Sequence, residues 1–175
     1  MIVRELNNKD VFKVAAEMRD VDFDEIGSSM GTDDRRRVGT LMMLGLDNER
    51  CGGWVFCTDD GDAVMIVAWS KFPENLKKAR VGMFATDRFN EINRQVTRFV
   101  VKNFGRLINQ NGVIQLEAQS IVTHRNAHRW LEFLGFHQHD LLENWGHGDR
   151  DFIHFLWNRP RQTGNVRWRR AGLLC

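Results

Sequence analysis

The segment of residues 90–110 constrains the fold more than any other part of the sequence. Its apolar side chains recur three and four positions apart, at Ile92, Val96, Phe99, Val100, Phe104, Leu107 and Ile108. This spacing places them on one face of a helix, and the glycine of "NQNG" is typical of a helix C-terminus. We therefore expect one long helix whose apolar face packs on the rest of the domain.

Strand-like segments lie on both sides of this helix. The segments before it are rich in Val, Phe, Trp and Ile: "GGWVFCT", "AVMIVAWSKF" and "ARVGMFAT". The turn signal "DDGD" separates the first two, which predicts an antiparallel meander. The segments after it are a strand, a short helix and a hairpin around "GHGD": "VIQLEAQS", "THRNAHRWLEFLG", "FHQHDLLENW" and "DFIHFLWN".

The chain opens with a strand in "IVREL", followed by two helical segments, and a third helix is possible through "DDRRRVGTLMML". The predicted order is β-α-α-β-β-β-α-β-α-β-β. It indicates a mixed α/β (α+β) fold, in which helices on both faces cover a largely antiparallel, twisted sheet.

Length and charge indicate one domain and a tail. A chain of 175 residues buries one sizeable core, and no apolar run approaches the 18 residues that would span a membrane. Residues 159–175 carry five arginines and no acid, so the net charge of +2 leaves −3 on residues 1–158. We predict a domain over residues 1–158 and a basic C-terminal tail over residues 159–175. The charged start of the chain argues against a signal peptide and favours cytoplasmic synthesis.

The basic tail contains the candidate residues for contact with a partner. Its apolar anchors and their surrounding cations are Arg167, Trp168, Arg169, Arg170, Leu173 and Leu174. Such a segment suits an acidic protein groove, a neighbouring copy of the chain or nucleic acid, although solvated basic tails without a partner are common.

The histidines and one glutamate raise two questions of chemistry. His124 and His128 stand four apart, which is the spacing of two zinc ligands on a helix. Because no third ligand is fixed by spacing, we expect no metal site. Glu117 lies on the polar face of its predicted strand, where it is either solvated or a general base.

The closing helix and the element order carry a resemblance. Over residues 1–158 the order, together with "AHRWLEFLGF", resembles the GNAT superfamily of acetyl-CoA-dependent N-acetyltransferases. In that family this helix reads as an asparagine, an alanine three residues later, a tyrosine four beyond, and then Gly-Phe. Ala127, Gly135 and Phe136 match this pattern.

Two chemical positions depart from the family pattern. His124 stands in the place of the asparagine that hydrogen-bonds the pantetheine arm, and Leu131 stands in the place of the tyrosine acid. The chain contains no tyrosine. Since leucine cannot donate a proton, an active enzyme would need His124, His128 or water as its acid.

The junction before the long helix departs as well. The resemblance implies a Gln/Arg-x-x-Gly-x-Gly/Ala loop that binds pyrophosphate there, but "ATDRFNEINRQV" contains no glycine. Asp87 and Glu91 would instead place negative charge near the phosphates. At an effective dielectric of about 20, two unit charges roughly 5 Å apart repel by about 3 kcal/mol. An active protein would hold acetyl-CoA with Arg88, Asn90, Arg94, His124 and Asn126.

A narrower resemblance unites these departures. "GMFATDRF", "MRDVDFDEIGSSMG", the long helix that begins without glycine, and the leucine in the tyrosine position are similar to the GNAT-like internal virion proteins of short-tailed bacteriophages. That group implies a role in particle assembly or DNA delivery, with synthesis in the host cytoplasm and a place in the virion.

The sequence therefore leaves three functional hypotheses. The first is a catalytically degenerate GNAT-fold virion component that uses no cofactor and contacts other virion or assembly proteins, or copies of itself. The second is an active N-acetyltransferase that uses acetyl-CoA, with Glu117 as base through water and either His124 or water as acid. The third is a nucleic-acid-binding module that uses the basic tail.

Overall fold

An opening strand, three helices and an antiparallel meander form the first half of the protein. The computed structural model describes residues 1–46 and 49–159. Its elements up to the meander are β1 (Ile2–Glu5), α1 (Asn8–Ala16), α2 (Asp20–Met30), α3 (Arg35–Leu46), β2 (Cys51–Cys57), β3 (Ala63–Phe72) and β4 (Asn75–Ala85).

The second half alternates helices and strands. A short 3₁₀ helix at Asp87–Glu91 leads into the long helix, and the elements that follow are α4 (Asn93–Gln110), β5 (Gln115–Ile121), α5 (Arg125–Phe133), β6 (His137–Gly146) and β7 (Arg150–Asn158). The predicted fold class is confirmed. The predicted order lacked α3, the third helix before the meander. Met42 and Met43 lie four and five positions after Val38, so the three side chains share one helix face. They pack α3 on the same core as α1.

The seven strands form one sheet in the order β1-β2-β3-β4-β5-β7-β6. Every neighbouring pair is antiparallel except β4 and β5, which run parallel because α4 returns the chain between them. That parallel pair is short, since residues 78–80 of β4 pair with residues 115–117 of β5 and no further residues are in register. Both strands continue beyond this point, so they separate towards their C-terminal ends.

Alternate strand residues supply cores on the two faces of the sheet. Ile66 and Phe84 pack with α1, α2 and α3, whereas their neighbours Val67 and Met83 pack on the side of α4. In α4, Val96 and Val100 are buried against the sheet, as the helical spacing predicted. The two helical layers therefore hold the sheet between them.

Glycines end the two predicted helices of the second half. Gly112 follows α4 with φ 65° and Gly135 follows α5 with φ 89°, so both adopt the left-handed conformation that favours glycine. Among the helices of residues 1–46 and 49–159, none is long and apolar enough to cross a membrane.

Candidate functional site

A large cleft opens where β4 and β5 separate. It has a volume of about 1110 Å³ and is lined by residues of α2, β4, α4 and α5. Because a parallel pair leads into helices at its carboxyl end, the starts of α4 and α5 both face this cleft. Crevices at such a point commonly hold ligands in α/β sheets.

The outer wall of the cleft is basic. Arg94 and Arg98 come from the first turns of α4, and Arg125 is the first residue of α5. Helix N-termini present unpaired backbone N–H groups and a partial positive charge. The outer part of the cleft can therefore accept an anionic group.

The inner end of the cleft is acidic, and Asp22 is its most buried carboxylate. Only 3% of its side chain is exposed. The guanidinium of Arg19 donates to both carboxylate oxygens at 2.8 Å, and the backbone N–H of Ala85 donates to Oδ2 at 2.8 Å. Burial raises the pKa of the Asp22 carboxyl, and the charge of Arg19 opposes this rise.

Glu25 lies one helical turn further along α2. Its carboxylate accepts hydrogen bonds from β5, as the carboxylate of Asp22 does from β4. Its Oε2 accepts from the hydroxyl of Ser120 at 2.6 Å and from the backbone N–H of Ile121 at 3.0 Å. Beyond the short parallel region, backbone N–H groups of β4 and β5 do not pair between these two strands. Those of Ala85 and Ile121 donate instead to Asp22 and Glu25. The two carboxylates of α2 close the inner end of the gap between the strands.

His124 lies between these two carboxylates. Its Nδ1 is 3.1 Å from Oε2 of Glu25, and its Nε2 is 4.0 Å from Oδ1 of Asp22. The side chain is 11% exposed. A histidine here can exchange a proton with Glu25 or with a ligand in the cleft.

The structure brings four of the predicted site residues together. His124, Asn126, Asn90 and Arg94 all line the cleft. His124 and Asn126 lie at the start of α5, Arg94 lies in the first turn of α4, and Asn90 lies in the 3₁₀ helix that precedes α4. The positions predicted for a cofactor are therefore close in space.

Arg88 is the predicted cofactor residue that lies elsewhere. Its guanidinium donates to Glu91 at 2.8 Å, to Asp62 at 2.8 Å and to Asp60 at 3.2 Å. The hydrogen bond from Arg88 lowers the pKa of the Glu91 carboxyl, so Arg88 holds the charge of Glu91 away from the cleft. Neither Asp87 nor Glu91 lines the cleft, so the repulsion expected from them at the phosphates is weaker than the sequence suggested.

Glu117 also lies outside the cleft. It is on the face of β5 opposite to the buried Leu116 and Ala118, as the alternation predicted. Its Oε2 is 3.4 Å from Nε2 of His154 on β7, and that nitrogen is buried without a hydrogen-bond partner. The predicted base and the predicted acid, His124, therefore do not face a common ligand across the cleft.

The helical histidine pair does not converge. The Nε2 of His128 is 3.0 Å from the carbonyl oxygen of Ile121, and burial lowers the pKa of the His128 imidazole. His124 instead contacts Glu25. Within residues 1–46 and 49–159, no group of three or more His, Cys, Asp or Glu side chains is arranged to hold a metal ion.

Two further predictions concern the tyrosine position and the tail. Leu131 is 5% exposed and packs in the core between α5 and the sheet, so it has no chemical role in the cleft. The predicted partner residues lie outside the described part of the chain: Arg167, Trp168, Arg169, Arg170, Leu173 and Leu174.

The sequence interpretation missed Asp22, Glu25 and Arg19. The stretch "MRDVDFDEIGSSMG" was noted only for its resemblance to a protein group. Asp22 and Glu25 are three residues apart and therefore share one helix face. Acids at that spacing on a helix that must pack on a sheet were the available signal.

Solved structures of N-acetyltransferases share this fold. The ribosomal-protein-S18-alanine N-acetyltransferase from Escherichia coli matches with a TM-score of 0.67 at 11% identity, over 95% of this chain and 99% of that one. A GNAT-family acetyltransferase from Bacillus anthracis matches with a TM-score of 0.64 at 12% identity, over 89% of this chain and 93% of that one. A structure assigned as a phosphinothricin N-acetyltransferase matches with a TM-score of 0.71 at 14% identity, over 91% of this chain and 99% of that one.

The fold is therefore that of the GNAT N-acetyltransferases, as the sequence resemblance implied. No protein-family model matches the sequence, and no curated protein matches it at a significant level. At identities of 14% and below, likeness of structure establishes the fold and leaves the activity to be argued from the cleft.

Proposed function

We propose that the chain is a bacteriophage protein in which the GNAT fold has lost acyl transfer and serves as a structural or accessory component of the virion. The observation that supports this proposal is the pair of α2 carboxylates, Asp22 and Glu25, at the inner end of the cleft. They accept from the backbone N–H groups of the two separating strands, and such N–H groups are the donors that transfer chemistry in this gap would need.

Acyl transfer from a thioester has two electrostatic requirements. A donor must stabilise the negative charge that develops on the carbonyl oxygen, and an acid must protonate the departing thiolate. Here the N–H groups of Ala85 and Ile121 already donate to carboxylates. A carboxylate oxygen offers no hydrogen-bond donor to a developing oxyanion or thiolate, and the guanidinium of Arg19, which could offer one, is bound to Asp22.

The tyrosine acid that the resemblance implies has no counterpart in this chain, which contains no tyrosine. The resemblance implies a tyrosine where this chain has Leu131, which is buried in the core. His124, in the place of the family's asparagine, is the proton carrier nearest to the gap, and Glu25 holds its Nδ1. An acetyl-CoA that follows the course implied by the resemblance would bring its thioester towards two carboxylates.

The particle role rests on the resemblance to GNAT-like internal virion proteins. It implies partners among other virion or assembly proteins, or neighbouring copies of the chain. The basic tail of residues 159–175 supplies candidate contacts for such partners and for nucleic acid. A fold that no longer uses its cleft for transfer can still present surfaces for assembly.

The alternative is an active acetyl-CoA-dependent N-acetyltransferase. The observation that favours it is the basic outer wall of the cleft, where Arg94, Arg98 and Arg125 stand at two helix starts. These residues suit a pyrophosphate without the glycine loop. Activity would then require His124 as acid, and water would have to carry the proton to Glu117 on the other face of the sheet.

The deciding experiment combines binding with turnover. Calorimetric titration with acetyl-CoA measures occupation of the cleft, and a thiol reagent measures free coenzyme A in the presence and absence of a primary amine. We expect no amine-dependent release, whether or not acetyl-CoA binds. Amine-dependent release that His124→Ala abolishes and Glu117→Gln reduces would refute the proposal in favour of the enzyme.

A further inference from the structure

The exposed face of α4 carries only positive charge. Arg94, Arg98, Lys102 and Arg106 follow one another at intervals of four residues, and all four are exposed. Across its 18 residues the helix contains no aspartate or glutamate. At about 1.5 Å per residue the four cations form a line roughly 18 Å long.

This arrangement is unfavourable for the helix alone. Like charges four residues apart destabilise a helix, and the line contains three such pairs. Many other cations of the protein are compensated, as Arg19 is by Asp22 and Arg150 by Asp24. Among the described residues, no carboxylate forms an ion pair with any of the four cations on α4.

The line continues past the end of the helix. The guanidinium of Arg159 donates to the carbonyl oxygen of Ile108 at 3.2 Å, in the last turn of α4. The backbone N–H of Arg159 donates to Ile114, whose own N–H donates to Lys77. We call the five residues Arg94, Arg98, Lys102, Arg106 and Arg159 the basic track. After Arg159 the sequence runs on with four more arginines and no acid.

The charge of the track contrasts with that of the rest of the domain. Residues 1–158 sum to −3, and α4 contributes +4, so the remainder of the domain carries −7. An extended line of positive charge on an acidic body fits a partner whose negative charges also repeat along a line. A single small anion would leave most of the track unused.

We propose that the basic track binds the phosphate backbone of nucleic acid without reading its base sequence. Charge contact with the backbone needs exposed Arg and Lys side chains and no base-reading groups. The aromatic residues of α4, Phe99 and Phe104, are directed to the core rather than to solvent, so base stacking has no part in this contact. Arg94 and Arg98 also line the outer part of the cleft, whereas Lys102, Arg106 and Arg159 lie outside it. The proposal does not rest on the proposed function.

The test uses the full chain and a short labelled DNA duplex, with fluorescence anisotropy measured over a series of salt concentrations. The variant Lys102→Gln/Arg106→Gln removes two track charges that do not line the cleft. Its matched control, Lys9→Gln/Arg37→Gln, removes two exposed charges from α1 and α3 on the opposite face. Single-stranded DNA, double-stranded RNA and polyglutamate serve as competitors.

We expect salt-sensitive binding of the unaltered chain to duplex DNA. The track variant should bind more weakly, and its slope of log affinity against log salt should fall by about 1.8, at roughly 0.9 per lost phosphate contact. The control should keep the slope of the unaltered chain. A thermal melt of each variant verifies that the fold is retained.

Three results would overturn the proposal. The first is an equal loss of affinity in the control, which would mean that net charge alone governs binding. The second is a chain lacking residues 160–175 that loses all binding while the track variant loses none, which would assign the contact to the tail. The third is binding to polyglutamate but to no nucleic acid, which would indicate an acidic protein partner.

Discussion

Removal of the Glu25 side chain is the sharpest test of how the two halves of the sheet are held together. In Glu25→Ala, the hydroxyl of Ser120 and the backbone N–H of Ile121 both lose their acceptor. Ser120 is 1% exposed and Ile121 is 2% exposed, so little water can reach either group. His124 loses its partner as well.

The magnitude follows from these contacts. A buried donor left without an acceptor costs about 1–3 kcal/mol. Because the serine hydroxyl can rotate and the cleft admits some water near Glu25, the two donors together should cost about 2–4 kcal/mol. The higher helix propensity of alanine offsets only a few tenths of a kcal/mol.

Urea unfolding at neutral pH measures this loss, and Asp24→Ala is the matched control on the same helix. Asp24 pairs with Arg150, but both side chains are more than 40% exposed, so its removal should change stability by about 0–1 kcal/mol. A difference below about 0.5 kcal/mol between the two variants would refute the view that Glu25 closes the gap.

Two further predictions concern pH and close packing. Burial holds the pKa of the His128 imidazole below its ordinary value of 6.5, so the unfolded chain binds a proton on this ring more readily than the folded chain does. The contribution of the neutral ring to folding stability is therefore present above about pH 6.5 and is lost as pH falls through the lowered pKa. The urea midpoint of the unaltered chain should therefore be lower at about pH 5 than at about pH 7.5. This difference should be smaller in His128→Gln, and an unchanged difference would contradict the prediction. Gly53→Ala should destabilise by about 2 kcal/mol or more, since its Cβ would lie 2.3 Å from the carbonyl oxygen of Val67, whereas Gly82→Ala meets nothing within 4 Å and should be nearly neutral in the same unfolding assay.

The fold could be predicted from the sequence because its elements are locally consistent. The apolar spacing of α4 and the glycine after it fix that helix without reference to the sheet, and the alternation in β5 places Glu117 opposite to Leu116. The third helix was harder to predict, since the boundaries of its segment were poorly marked.

The candidate site was only half predictable. Asn90, Arg94, His124 and Asn126 were predicted from the resemblance to the GNAT superfamily, and all four line the cleft at the carboxyl end of the parallel pair. Arg88 was predicted for the cofactor but lies outside the cleft, because it bonds Asp60 and Asp62 in the turn between β2 and β3, which are 28 and 26 residues away in sequence. The carboxylates of α2 were missed because the unpaired amides of Ala85 and Ile121 exist only once the strands separate in three dimensions.

The way α2 ties the two halves of the sheet also sets an order for assembly during synthesis. Asp22 meets its amide partner Ala85 after 63 residues, but Glu25 must wait 96 residues for Ile121. When the meander has left the ribosome, α2 can dock on it through Asp22 while the Glu25 carboxylate still faces water. We therefore expect the bonds of Glu25 to form later than those of Asp22. Loss of Glu25 should accordingly increase the unfolding rate more than it decreases the folding rate. The hydrogen bonds of Glu25 would then act mainly to lengthen the lifetime of the native domain.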